Sequence, residues 1–222
     1  MLLNSLEFAF FFPIVCAVFF ALPFRWRVPM LLGASCVFYM AFIPSYILIL
    51  GITIMVDYVA GIYIERSQGP RRRIWLISSI VVTCAILFVF KYFNFFIGTF
   101  NGLGSLFDWE RDLSYWSIIL PVGLSFHTFQ SLSYVIEVYR GNQKAEYSLI
   151  TYSTYVMFFP QLVAGPIERP QNLLHQFREL KAFDENRVIS GLKLMAWGFF
   201  KKLVVADRLA LYVNDVYLPL SR

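Results

Sequence analysis

Residues 155–170 read YVMFFPQLVAGPIERP, and the fold turns on them. The stretch starts as membrane-type sequence and then breaks. Pro160 removes a backbone donor and disfavours an uninterrupted helix. Gly165-Pro166 ends any helix, and Glu168-Arg169 adds two charges before Pro170. The apolar run from Leu149 to Ala164 is 16 residues long and already contains Pro160 and Gln161. Crossing the hydrocarbon core takes about 20 apolar residues. Irregular backbone at membrane depth survives only where protein buries it or where it lines a wet cavity. The stretch is therefore expected to be re-entrant, walling a cavity and returning to the side it came from. The alternative is a short kinked span followed by an ordinary loop.

Composition sets the surroundings of this break. Of 222 residues, 59% are hydrophobic and 15% charged, with a mean hydropathy of +0.63. A soluble domain has about 45–50% apolar and about 25% charged residues, so this is an integral membrane protein. The 24 Phe and 13 Tyr suit lipid-facing surface and interface belts. A net charge of +5 without a long basic run fits loop charge and argues against nucleic acid as a partner. Cys16, Cys36 and Cys84 each lie in an apolar run without a CxxC neighbour. They read as small packing residues, not as a disulfide framework or metal site. Met1–Glu7 has no Lys or Arg, so the first apolar run is expected to stay as a span and not to act as a cleaved signal.

Several apolar runs follow in order. Leu6–Pro23 is the first, followed by Arg25 and Arg27. Residues 28–64 read as two spans joined at Pro44, with one long kinked helix as the alternative. ERSQGPRRR at 65–73 is a loop. Ile74–Phe90 is a span that Lys91–Phe100 could extend, and 101–112 reads as an acidic loop. Leu113–Val138 is a long apolar segment. Ile167–Arg187 is mixed in charge and reads as a surface helix. Val188–Val213 is the last apolar segment, where Lys201 and Lys202 are expected to snorkel to headgroups. With the N-terminus outside, Arg25, Arg27, Arg66, Arg71–Arg73, Arg140 and Lys144 all face the cytoplasm. Re-entrance of 158–170 also keeps Arg169, Arg178, Lys181 and Arg187 there.

Polar residues inside apolar runs are the functional candidates. In 120–141, LPVGLSFHTFQSLSYVIEVYRG, the residues His127, Gln130, Tyr134 and Glu137 are spaced by 3, 4 and 3. They share one helical face. Such a face looks into a bundle interior or a watery cavity, so it is either a hydrogen-bond stripe joining helices or a channel wall. Gln161 and Glu168 flank the break. They either cap freed backbone groups, with Glu168 paired to Arg169, or line the same cavity. Asp57 is expected to reach the cytoplasmic interface near Arg66, and His175 to be exposed. No metal-ligand cluster, phosphate loop or nucleophile motif is present.

Three stretches carry a resemblance. LPVGLSFHTFQSLSYVIEVYRG at 120–141, FFPQLVAGPIERP at 158–170 and GFFKKLVVADRLA at 198–210 resemble successive motifs of the membrane-bound O-acyltransferase (MBOAT) family. The similarity is to its bacterial branch of alginate O-acetyltransferases more than to the D-alanyl transferases of teichoic acids. The opening LLNSLEFAFFFPIV resembles the same branch. The resemblance implies an all-α polytopic transmembrane bundle, one membrane domain over 1–222 forming the N-terminal part of a longer fold. It implies O-acetylation of an exported polysaccharide such as alginate in the bacterial inner membrane. The acyl donor would be an activated thioester from the cytoplasm, with no bound cofactor. Extracytoplasmic acetylation proteins would be partners, besides the lipid bilayer. The family's catalytic histidine is expected beyond Arg222, so no residue here is assigned that role and the chain alone is expected to be inactive. His127, Gln130, Tyr134, Glu137, Gln161 and Glu168 remain as substrate-channel candidates. A membrane transporter or an inactive scaffold is the alternative function.

Overall fold

A computed structural model describes residues 5–41, 44–106, 123–162, 165 and 167–217. The described residues are helical, with connecting turns and no strand. The chain divides into two compact units, Met1–Leu180 and Lys181–Arg222.

In the first unit, α1 (Leu6–Ala21) starts at Ser5, whose hydroxyl accepts the Phe8 N–H. That bond satisfies one of the free donors at a helix start. Helix α2 (Phe24–Met40) begins directly after Pro23. Helices α3 (Tyr46–Arg66) and α4 (Pro70–Leu106) form a hairpin. Gly69 turns it at φ 61°, and Pro70 opens α4, where its missing N–H costs nothing. Both helices are long and apolar enough to cross a membrane. Helices α5 (Leu124–Arg140) and α6 (Leu149–Met157) complete the bundle.

The join expected at Pro44 is present as the gap between α2 and α3. Three expectations fail. Of the loop expected at 65–73 only residues 67–69 are non-helical, because Glu65 and Arg66 end α3 and Pro70 opens α4. Residues 101–106 are the last turns of α4 and not loop. Extending a helix already under way adds one hydrogen bond per residue fixed, which outweighs the modest cost of Gly102 and Gly104. The rest of that expected loop, and residues 113–122 of the next apolar segment, lie outside the described residues. The surface helix expected over 167–187 is also absent. Pro170–Leu173 forms one α turn (α8), Leu174–Arg178 a 3-10 turn, and 179–184 is non-helical. Tertiary bonds from Gln171 to Glu137 and from Arg178 to Glu146 override the local preference.

The break at 158–162 sits close to the middle of the bundle. Helix α6 has nine residues, about 13 Å, and ends where Phe158 turns out of helical geometry. A short turn, α7 (Phe159–Leu162), comes next. The Phe159 N–H donates to Ser35 Oγ on α2 at 3.2 Å. Thr154 Oγ1 lies 3.5 Å from the Val28 carbonyl, so α2 and α6 run the same way. Ser35 is about 16 Å along α2 from Phe24, against about 31 Å for all of α3. The Phe159 ring packs 5.3 Å from Phe11 and 5.9 Å from Phe38. An apolar plug from α1 and α2 thus holds the break in place.

One end of this unit is basic. Arg66 lies over the Tyr147 ring at 5.4 Å, and Arg72 donates to the carbonyls of Val138 and Tyr139. The start of α2, with Arg25 and Arg27, shares this end because α2 parallels α6. Lys91 is a described basic group near the other end, one residue past Phe90, which packs 6.1 Å from Tyr46. Outward faces are apolar and exposed, as at Phe10, Leu48 and Val81.

The second unit contains α9 (Glu185–Phe199), a π-helical stretch at Phe200–Ala206 and α10 (Asp207–Tyr217). Asp184 caps α9 through the Arg187 N–H. None of the described residues in these helices is buried. Lys201 stacks 5.4 Å from Trp197, and Lys202 pairs with Asp207.

Candidate functional site

Helix α5 places its polar stripe by simple periodicity. His127, Gln130, Tyr134 and Glu137 are all buried, at 2%, 5%, 0% and 8% exposure. Phe126 and Phe129 on other faces are exposed. The amphipathic face read from the sequence is therefore the interior face.

Each stripe residue meets a different neighbour. Tyr134 accepts the Glu146 N–H on its hydroxyl at 2.8 Å. Its ring lies so close to α3 that a Cβ at Gly61 would sit 2.7 Å from it. Gln130 Nε2 donates to the Tyr155 carbonyl at 2.7 Å and to Gln161 Oε1 at 3.3 Å. It thereby satisfies a carbonyl near the end of α6, one of the acceptors that a helix terminus leaves free. The Tyr155 hydroxyl donates to the Glu168 carbonyl at 2.9 Å. Gln130, Gln161 and the Glu168 backbone are thus brought around Tyr155. The Glu168 carboxylate accepts Asn172 Nδ2 at 3.1 Å.

Glu137 and Glu146 anchor the residues after the break. Glu137 Oε2 accepts Asn142 Nδ2 at 2.9 Å and Gln171 Nε2 at 2.5 Å. Glu146 is 4% exposed and accepts the Ser148 N–H on one oxygen and Arg178 on the other, at 2.5 Å. Phe158 and Phe177 rings pack 5.6 Å apart. Glu146 escaped the sequence reading because it lies outside any apolar run.

Asp57 also differs from expectation. It does not reach an interface; it is fully buried. Its Oδ1 accepts Ser79 at 2.5 Å and Thr83 at 3.0 Å, and its Oδ2 accepts Ser131 at 2.5 Å. One carboxylate ties α3, α4 and α5. The signal was available: Ser79 and Thr83 are four apart and share a face of α4. His175 is exposed as expected, with Nδ1 2.8 Å from the Gln171 carbonyl. Cys84 is exposed, while Cys16 and Cys36 are half-buried.

His127 stands apart. Both ring nitrogens are buried and find no hydrogen-bond partner among the described residues, and neither does Thr128 Oγ1. Two grooves, of about 510 and 410 Å³, are apolar and lined by α4, or by α3 and α4, and not by the stripe. No cluster of metal-binding side chains gathers among the described residues.

No family model matches the chain, and no solved structure does. A Pseudomonas aeruginosa protein named "Probable alginate O-acetylase AlgI" is 35% identical over 98% of this chain and 42% of its own length. Its Azotobacter vinelandii namesake is 34% identical over 95% of this chain and 42% of its own length. A Helicobacter pylori peptidoglycan O-acetyltransferase is 28% identical over 82% of this chain and 38% of its own length. The chain therefore spans well under half the length of these curated relatives. The match runs through the stripe and the break alike, and over nearly its whole length the chain is similar to the N-terminal-side portion shared by these alginate O-acetylases.

Proposed function

We propose that this chain forms part of the membrane wall of an O-acyltransferase that acetylates an exported polysaccharide such as alginate. The protein is a multi-pass component of a bacterial inner membrane, with its N-terminus outside and 158–170 re-entrant. One observation carries this reading. Residues beyond the break bond back to the end that α6 left: Gln171 to Glu137 and Arg178 to Glu146. A nine-residue α6 is about 13 Å long and too short to cross about 30 Å of hydrocarbon. Broken backbone at that depth is expected to line a passage.

The reaction needs two substrates that approach from opposite sides. A hydroxyl oxygen of the polysaccharide attacks the carbonyl carbon of an activated acyl thioester. A base removes the hydroxyl proton, the carbon–sulfur bond breaks, and the thiol leaves as the sugar ester forms. Such a base must lie within hydrogen-bond reach of the attacking hydroxyl. We assign that role to none of the residues described here. Gln130 and Gln161 orient polar groups along the passage. The basic end, with Arg25, Arg27, Arg71 and Arg73, faces the cytoplasm, from which the thioester arrives. Extracytoplasmic partner proteins handle the polymer on the other side.

Deleting the locus that encodes this chain is the test. Ester-linked acetyl on the exported polysaccharide should fall to background and return when the locus is restored. Unchanged acetyl content in the deletion strain would reject the reading.

A further inference from the structure

An imidazole buried with neither nitrogen bonded needs an explanation. His127 is 2% exposed, and both nitrogens are without partners among the described residues. A neutral imidazole carries one N–H donor and one bare acceptor nitrogen. Leaving both empty in a low-dielectric interior is costly.

The position of His127 shows where its partner lies. Gly123, His127 and Gln130 are spaced by 4 and 3, so they share one face of the first turns of α5. The residues on either side of His127 on that face both touch the break. A Cβ at Gly123 would sit 2.3 Å from the Leu162 carbonyl oxygen, and Gln130 bonds Gln161. His127 therefore lies between two contacts to α7, level with the gap in the helix.

From this geometry we infer that His127 forms a binding site for a neutral hydroxyl at the break. A hydroxyl is the simplest group that donates to a bare ring nitrogen and accepts from an N–H. An anion cannot donate, and a metal ion lacks the other ligands among the described residues. The hydroxyl comes from an ordered water or from the sugar acceptor. The second source rests on the acyltransferase reading; the first does not. His127 here is a binding group and not the base of the reaction.

Two measurements on the full-length protein test this. The first is a density map of the acceptor-free protein, sharp enough to show ordered water. The inference expects an oxygen within hydrogen-bond distance of a His127 ring nitrogen. Ring nitrogens bonded only to protein groups would overturn it. The second compares His127→Phe, which removes both polar positions, with His127→Gln, which keeps a donor and an acceptor. If the sugar supplies the hydroxyl, His127→Phe raises the acceptor KM about three- to tenfold, the worth of one lost hydrogen bond. The donor KM should stay unchanged, and His127→Gln should recover most of the loss. An acceptor KM unchanged in both variants assigns the site to water, provided the map shows the oxygen. If it does not, the inference fails. A parent protein with no acetyl transfer at all would defeat the acyltransferase reading and leave the map result standing.

Discussion

Asp57→Leu lowers the unfolding free energy of the detergent-purified protein by about 2 kcal/mol or more. The size follows from what the carboxylate does. It accepts three hydroxyls from two other helices, Ser79 and Thr83 on α4 and Ser131 on α5. A hydrogen bond between membrane helices is worth on average ~0.6 kcal/mol and at most ~1.7. Three lost together give about 2 to 5 kcal/mol. The low end applies because serine and threonine can turn back to carbonyls of their own helix. Ser131 already lies 3.2 Å from the Thr128 carbonyl. Asp57→Asn retains acceptor capacity on one oxygen and should lose less than half as much. Thermal melting of the parent and both variants measures this. A leucine variant as stable as the parent would show that the three-helix tie contributes nothing.

Gly123→Ala costs more than Gly141→Ala, and the difference isolates the contact to the break. Both glycines have left-handed backbone, at φ 78° and 81°. Any L-residue pays about 1–2 kcal/mol there. At Gly141 a Cβ would meet nothing within 4 Å, so that strain is the whole effect. At Gly123 the Cβ would also lie 2.3 Å from the Leu162 carbonyl oxygen. Backbone must move to relieve that clash, adding roughly 1–3 kcal/mol. The displaced segment carries Gln161, so Gly123→Ala should also reduce acetyl transfer while Gly141→Ala leaves it near normal. Equal melting shifts in the two variants would contradict the close approach of α5 to the break.

Much of this was legible in the sequence. The turn between α3 and α4 lies inside the loop read at 65–73, but the reading made it too long, since helix continues to Arg66 and restarts at Pro70. The 3, 4, 3 spacing from His127 to Glu137 named the buried face of α5 correctly, because periodicity reports burial directly. What the spacing could not report was the partner of each residue. Whether Gln130 meets Gln161 or Asp57 meets Ser131 depends on how helices align along their axes. Contacts 31 and 74 residues apart in the chain set that alignment. The interface role expected of Asp57 failed for this reason, since its nearest charge in sequence, Glu65-Arg66, is not its neighbour in space. The helix expected over 167–187 failed differently. Its composition suited a helix, but Gln171 and Arg178 bond to Glu137 and Glu146, and those bonds hold the chain in short turns.

The central claim is that the chain enters the membrane at Leu149, breaks near its middle and returns to the same side. Single cysteines at Tyr147 and at His175, in a protein lacking Cys16, Cys36 and Cys84, test it with a membrane-impermeant maleimide. The account predicts that both positions react only from the cytoplasmic side. Labelling of Tyr147→Cys from the cytoplasm and of His175→Cys from outside would make 149–170 a crossing segment and contradict the account.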